Sequence, residues 1–268
     1  MIQVSIIIVN YNTFQLTCNC IESIKLLENE LNYEIILVDN NSSEVSPIEF
    51  KKKFPEILLI ENSINVGFAR GNNLGIAQAK GKYILLLNSD TVLLNNAISL
   101  ALNFIEKEND VGVVSVRLEY PDGTVQHNCQ RFPSIKYKLF ELLRLQKFFG
   151  KRIGGNVLLG SFFDHNLAVY PDWVWGTFFL FKKDSLQLFP EQKLADNFFM
   201  YVEDMQWCME FRKQGYKIAF DPRGVVVHYM GKSGGSKSKL IEANSKLFMN
   251  NYYSPLHRNC IYFLDKFF

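Results

Sequence analysis

The run Leu85-Leu86-Leu87-Asn88-Ser89-Asp90 is an apolar segment that ends in polar residues and a single carboxylate. Ligands of open α/β sheets bind at strand ends of this kind. A carboxylate placed there can hold a divalent cation, and a hard cation with few protein ligands keeps positions free for a diphosphate. Asp39 ends a second apolar run, in Asp39-Asn40-Asn41-Ser42-Ser43. It can cap a helix beginning near Ser43 or Glu44, or accept a hydrogen bond from a base or ribose, and the sequence leaves both open. The stretch from Asn65 to Gly75 holds three glycines and three asparagines, a composition that permits tight turns and close backbone approach. It contains no G-x-G-x-x-G, and Gly231-Lys232-Ser233 has Val226 where a P-loop needs its first glycine. Glu203-Asp204 opens an amphipathic segment. Paired acids favour a helix N-terminus, and they also raise each other's pKa toward useful basicity. His228 closes the run Val225-Val226-Val227 and is the best placed of four histidines to join Asp90 in a Mg²⁺ or Mn²⁺ site, Mn²⁺ tolerating imidazole better.

These residues need elements to position them. Val4–Val9 is a buried strand and Gln15–Leu27 a helix with Leu16, Cys20, Ile24 and Leu27 at helical spacing. Strands follow at Glu34–Val38, Ile57–Ile60, Tyr83–Leu87 and Val111–Val116. Helices are expected at Glu44–Lys53, Gly71–Ala79 and Asn95–Glu108. Strands apolar on both faces, alternating with helices, predict a mostly parallel sheet covered on both sides. The polar ends Asn10-Tyr11-Asn12, Asp39-Asn40, Asn62–Asn65 and Asn88–Asp90 then gather along one edge. The second half is less regular. It holds a turn at Tyr120–Thr124 within a hairpin and a helical stretch Ser134–Phe149, and Lys151–Asp172 has no clear period. It continues with a strand Thr177–Phe181, a helix Glu203–Gln214, short strands Lys217–Phe220 and Val225–His228, a flexible loop Gly231–Gly235 and a final helix Ser236–Tyr253.

The 268 residues suffice for one substantial core. A net charge of +2 lacks the basic footprint of a nucleic-acid binder. The five cysteines include no C-x-x-C pair, so reduced, packed thiols in a cytoplasmic compartment are expected. The apolar N-terminus stops at Asn10 without a basic leader and reads as a strand rather than a signal peptide. No apolar run is long enough to predict a transmembrane helix.

Five ordered blocks carry a family resemblance: Val9-Asn10-Tyr11-Asn12; Ile36 to Ser43; Asn65 to Gly75; Leu87-Asn88-Ser89-Asp90; and Phe199-Met200-Tyr201-Val202-Glu203-Asp204. Through them the chain resembles a family 2 glycosyltransferase with the GT-A fold, close to the rhamnosyltransferase-like branch. The resemblance implies a nucleotide-binding α/β/α sandwich over residues 1–235, its mostly parallel central sheet extended by a mixed acceptor-side half, and divided into a nucleotide-sugar half (1–116) and an acceptor and catalytic half (117–235). A helical, aromatic and basic extension follows at 236–268. By position it implies that Asn10, Tyr11, Asn12 and Asp39 contact the nucleotide of the donor. It places Asn65, Gly67, Arg70 and Asn72 near base, ribose and phosphates, with Asn88 and Ser89 beside them. It makes Asp90 and His228 the ligands of Mn²⁺ or Mg²⁺, puts Trp175-Gly176 at the sugar and acceptor pocket, and makes Asp204 the catalytic base with Glu203 beside it. Two positions depart from the family pattern. Position 88 is Asn rather than Asp, and Gln206 stands where an acid often follows the pair.

The implied reaction is inverting transfer of a sugar, L-rhamnose from dTDP-rhamnose as the first choice, to a hydroxyl of a bacterial cell-surface glycan or lipid-linked precursor. Rivals are the same fold with a UDP-hexose or furanose donor, a nucleotidyltransferase, and a non-catalytic sugar-nucleotide-binding protein. Asn10–Thr13 offers no phosphate loop for the nucleotidyltransferase. Lys136, Lys138, Arg144, Lys147, Lys151 and Arg152 lie among Tyr137, Phe140, Leu143, Phe148 and Phe149, and the tail adds Lys237, Lys239, Lys246, His257, Arg258 and Lys266. Such interleaving fits a solvated face, the contacts of a homodimer, or a peripheral site at the inner face of an anionic membrane.

Overall fold

The structure, a computed structural model, describes residues 2–230 and 237–267, without the side chains of residues 150–152, 237 and 238. The expected Gly231–Gly235 loop and the side chains of Lys151, Arg152 and Lys237 lie outside the described residues.

The first half alternates as its apolar runs predict. It contains β1 (Val4–Asn10), α1 (Phe14–Leu27), β2 (Tyr33–Asp39), α2 (Ile48–Lys53), β3 (Leu58–Glu61), α3 (Phe68–Gln78), β4 (Tyr83–Asn88), β5 (Thr91–Leu93), α4 (Ala97–Lys107) and β6 (Val111–Glu119). The second half contains β7 (Val125–Gln126), β8 (Cys129–Gln130), α5 (Ile135–Leu142), α6 (Leu145–Phe148), α7 (Gly150–Leu158), β9 (Trp173–Val174), β10 (Phe178–Lys182), α8 (Glu203–Lys213), β11 (Lys217–His228), α9 (Lys237–Tyr252) and α10 (Pro255–Leu264).

The main sheet runs β3-β2-β1-β4-β10-β6-β11-β5, with β7 added on β6, and β8 pairs with β9 in a small ribbon. Strands β3, β2, β1 and β4 are mutually parallel, so Asn10, Asp39 and Asn88 end on one edge, with Asn10 opposite Asp39 in register. Period-two alternation sends successive side chains to opposite faces. Ile6, Ile8, Leu85 and Leu87 pack on one face under Cys20, Ile21 and Ile24 of α1 and Ile98, Leu102 and Ile105 of α4. Ile7, Ile36, Ile84 and Leu86 pack on the other under Ala69 and Ile76 of α3 and Trp207 and Phe211 of α8. Gly75 lets α3 close on β1, because a Cβ there would stand 2.5 Å from the Ile7 side chain.

The sheet is parallel through β3, β2, β1 and β4 and mixed beyond them, as expected of a parallel sheet extended by a mixed second half. Strand β10 inserts antiparallel between β4 and β6, so a strand from the second half sits in the middle of the sheet. The two short strands expected at 217–220 and 225–228 are one strand, parallel to β6, with an irregularity between Asp221 and Val225. No helix starts near Ser43, and α2 begins only at Ile48. The 134–149 stretch breaks at Arg144, whose φ is +53°. Residues 150–158, expected to lack a period, are helical. Helix α10 follows α9, which was expected to be the last. The turn at Tyr120–Thr124 forms as expected, joining antiparallel β6 and β7.

Candidate active site

The strand ends form a connected polar edge. Asn10 Nδ2 donates to Asp39 Oδ1 (2.7 Å) and Ser42 Oγ (2.9 Å), and its side-chain Oδ1 accepts from the Thr13 and Thr17 hydroxyls. Asp39 Oδ2 accepts from the Ser42 amide at 2.9 Å. Asp39 is therefore buried with both oxygens engaged, and it caps a loop rather than the helix expected there. Thr13 reaches the Ser89 hydroxyl at 3.0 Å, which joins the ends of β1 and β4. Asn12 takes a left-handed φ of +53° and accepts from the Ser43 and Glu44 amides, while Tyr11 beside it is exposed.

Asn40 ties this edge to the next loop. Its amide donates to Asn65 Oδ1 and the Gly67 carbonyl, and its oxygen accepts from Asn62 and the Val66 amide. Gly67 has φ +85°, and a Cβ there would lie 2.3 Å from the Phe199 carbonyl, so glycine is required twice over. Arg70 is exposed on the first turn of α3, whereas Asn72 is buried and donates to Phe68 O. The sequence pointed to Asn65, Gly67 and Asn72 as neighbours of a donor. In the structure Asn65 and Gly67 hold this loop, and Asn72 bonds within α3.

Asp90 and His228 come together as expected: Asp90 Oδ1 lies 3.3 Å from His228 Nε2, and both residues are buried. The other ring nitrogen, Nδ1, lies 2.8 Å from Gln126 Oε1. The Gln126 amide nitrogen donates to the His228 carbonyl at 2.7 Å, which fixes the oxygen toward the ring. An amide oxygen only accepts, so Nδ1 carries hydrogen and a neutral imidazole keeps its lone pair on Nε2. Two lone pairs 3.3 Å apart call for a proton or a cation between them. Asn88 Nδ2 lies 3.5 Å from His228 Nε2, and its Oδ1 is buried without a partner. A carboxylate and an imidazole nitrogen this close fit Mn²⁺ or Mg²⁺ with positions left for phosphate and water. Among the described residues no group of three or more His, Cys, Asp or Glu forms a larger metal cluster.

The acid pair opens α8. Asp204 Oδ2 accepts from the Gly176 amide at 3.0 Å and Oδ1 from the Met205 amide at 2.8 Å. Burial pushes both carboxyls of the pair upward, and the Asp204 charge pushes Glu203 further. They differ in their partners. Asp204, a half-buried residue, has both carboxylate oxygens engaged, while Glu203 is buried with Oε2 unpartnered. Gly176 precedes Thr177, whose carbonyl accepts from the Asn88 amide at 3.0 Å. The backbone thus links the Asp90 strand end to the Asp204 carboxylate through two adjacent residues. Trp175, beside Gly176, is half-buried and packs on the core.

Asn40 and Ser42 were noted only as parts of a polar strand end, and Thr13 and Gln126 were given no role. Thr13 and Ser42 had a signal in the Asn-x-x-Thr and Asp-x-x-Ser spacing at strand ends. Gln126 had none, because its partner is 102 residues away.

The sheet order and the polar edge define a GT-A-like fold. Mannosyltransferase PcManGT from Pyrobaculum calidifontis, solved in complex with GDP-Man and Mn²⁺, superposes with a TM-score of 0.62 at 16% identity, over 97% of this chain and 68% of that one. The model of glycosyl transferase family 2 matches residues 5–166, and the chain belongs to that family. An uncharacterized glycosyltransferase of Rickettsia bellii is 38% identical over 109 residues, which is 40% of this chain and 16% of the relative. Poly(ribitol-phosphate) beta-glucosyltransferase of Bacillus spizizenii is 33% identical over 127 residues, 45% of this chain and 20% of the relative. This chain therefore spans a fifth or less of the length of these two relatives. N-acetylglucosaminyl-diphospho-decaprenol L-rhamnosyltransferase of Mycobacterium tuberculosis is 21% identical over 78% of this chain and 70% of its own.

Proposed function

We propose that this chain transfers a hexosyl group from a nucleoside-diphosphate sugar to a hydroxyl of a cell-envelope glycan or lipid-linked saccharide, inverting the anomeric centre in one displacement. The observation that carries this reading is the short backbone link between two unlike sites. One is a pair of metal-type ligands, Asp90 and His228; the other is the carboxylate of half-buried Asp204, its pKa raised by burial. Single-displacement transfer needs a base on the acceptor side and charge stabilisation on the leaving-group side, with no protein nucleophile.

In this reading Asp204 takes the proton of the acceptor hydroxyl. Its raised pKa supplies the basicity, and the Gly176 and Met205 amides hold its orientation. Glu203, buried and protonated near neutrality, keeps a second negative charge away from the base. Asp90 and His228 Nε2 would hold Mn²⁺ or Mg²⁺, which when bound supplies positive charge to the departing diphosphate. The exposed Tyr11 ring and Arg70 are the open surfaces for base and phosphate, with Asn10, Asn12, Asp39, Asn65, Gly67, Asn72 and Ser89 bracing the edge they stand on. Trp175 and Gly176 line the sugar side.

A hexose donor is favoured over dTDP-rhamnose because the relative at 33% identity is named as a glucosyltransferase. The L-rhamnosyltransferase, at 21% identity over most of both chains, keeps dTDP-rhamnose as the second reading. The deciding experiment is calorimetric titration with UDP-glucose, UDP-N-acetylglucosamine, GDP-mannose and dTDP-rhamnose, with and without Mn²⁺. It is followed by nucleotide release with an envelope glycan fraction as acceptor. We expect Mn²⁺-dependent binding of one hexose donor, lost in D90A, and binding without turnover in D204N. The proposal fails if no nucleotide sugar binds, or if D204N turns over like the wild type.

A further inference from the structure

Asp204 is preceded by a backbone that its own side chains do not favour. Tyr201 and Val202 have φ of +69° and +75°. Two consecutive non-glycine residues in the left-handed region are uncommon, and for a β-branched valine the position is a clear outlier. Such a turn persists only where its surroundings over-determine it. Glu203 and Asp204 follow directly, as the first two residues of α8.

The surroundings that hold this turn come from α9, some forty residues on. Asn244 is buried, and its side-chain amide donates to the Met200 carbonyl at 2.8 Å and the Tyr201 carbonyl at 3.1 Å. A single amide nitrogen has two hydrogens, and both are used here on consecutive peptide units of the strained turn. One turn further along α9, Phe248 is buried in a cluster with Phe198, Val202, Met249 and Ile261, so the Val202 side chain is covered by the same helix. Another turn on, the Tyr252 hydroxyl lies 3.1 Å from Gln206 Nε2 and bonds Glu210. Thus α9 touches the turn before the acid pair and the helix after it. From the opposite side the Phe68 amide donates to Phe199 O at 2.9 Å, and the Asn73 amide nitrogen donates to Leu194 O at 2.8 Å.

We propose that Asn244 is a positioning residue for the catalytic carboxylate: by holding the Met200 and Tyr201 carbonyls it keeps the backbone left-handed, and so aims Asp204 at the acceptor. The C-terminal helices are then part of the transferase site rather than an appendage to it. The inference rests on the reading of Asp204 as the base.

The test uses N244A, Y201G and the double variant N244A/Y201G. Glycine enters the left-handed region freely, so Y201G relieves one of the two left-handed residues that the amide clamp holds. In N244A we expect turnover to fall at least tenfold and the acid limb of the kcat/KM pH profile to move, with the donor Kd within twofold of wild type. The double variant should recover part of the loss seen in N244A, so that N244A costs less turnover in the Y201G background than in the wild type. N244A should also speed hydrogen exchange at the Met205 and Gln206 amides while leaving the β4 amides protected, and this readout is independent of activity. Three results would overturn the proposal: wild-type turnover by N244A below its melting temperature, equal loss of donor binding and turnover, or no rescue by Y201G. If exchange responds as expected while D204N remains active, the clamp stands and the assignment of the base fails instead.

Discussion

At the scale of single residues, the proposed cation site at Asp90 depends on the tautomer of His228. Gln126 Oε1 holds a hydrogen on Nδ1 and so leaves Nε2 as a ligand. Outer partners of this kind typically change metal affinity by about 10–100-fold. Q126L should therefore weaken Mn²⁺ binding by about that factor in a Mn²⁺ EPR titration, while the folded structure persists. Unchanged affinity would mean that the ring is held by its packing alone.

The acid pair makes a second prediction at this scale. Burial raises the Glu203 pKa, so the folded chain keeps a proton that the unfolded chain releases. Stability contributed by that group is complete below the ordinary carboxylate range and is lost as pH rises toward the raised value, by up to about 1.4 kcal/mol per pH unit. E203Q has no proton to lose. Its melting temperature should exceed that of wild type by a margin that widens from pH 5 to pH 8, and a constant margin would mean that Glu203 is charged throughout. Because burial also raises Asp204, the acid limb of kcat/KM should lie above the ordinary carboxylate range. E203Q should leave that limb in place, since Glu203 is already neutral where Asp204 titrates.

The residues with their own chemistry, Asp90, Glu203, Asp204 and His228, were legible because acids and imidazole at strand or helix ends are few. Gln126 and Asn244 were not, since an amide acts through a partner that only the fold brings near.

At the scale of elements, α4 shows how a helix end is satisfied from elsewhere in the chain. Its N-cap residue, Asn96, makes no side-chain cap. The buried Glu28 carboxylate does so instead, accepting from the Ile98 amide at 2.7 Å and from the Ser99 amide and hydroxyl. Removing it leaves buried donors unsatisfied, at about 1–3 kcal/mol. E28A should lose stability in that range by urea denaturation with an unchanged m value, and a loss of only a few tenths would mean that water replaces the carboxylate. The elements themselves were legible where apolar period was strong, as in β1, α1, β2, β4 and α4. They were missed where it was weak. Strand β5 has three residues, the glycines of α7 mask its period, and β10 carries no sign in its sequence of which strands it will join.

At the scale of the whole molecule, one face combines apolar and basic exposure. Leu139, Leu142, Leu143, Phe148 and Phe149 are exposed on α5, α6 and the residues that follow each, with exposed Lys136, Arg144 and Lys147 among them. Helix α10 docks beside α5, where Lys138 pairs with Asp265 at 2.7 Å, and it brings exposed Tyr262, Phe263, Lys266 and Phe267 to the same region. Among the described residues no helix is long and apolar enough to cross a membrane. We propose that this face lies on an anionic bilayer, the site of a lipid-linked acceptor. Aromatic rings insert shallowly at such a surface, and each nearby Lys or Arg adds about 1 kcal/mol of attraction that salt screens. Sedimentation with vesicles of mixed phosphatidylcholine and phosphatidylglycerol should pull the chain down at low salt and release it as salt rises. F148S/F149S should weaken binding at every salt concentration, because it removes the apolar contribution, while K136Q/K147Q should flatten the salt dependence. Absence of binding at low salt would dispose of the bilayer contact and leave the face to a soluble acceptor or a second copy of the chain.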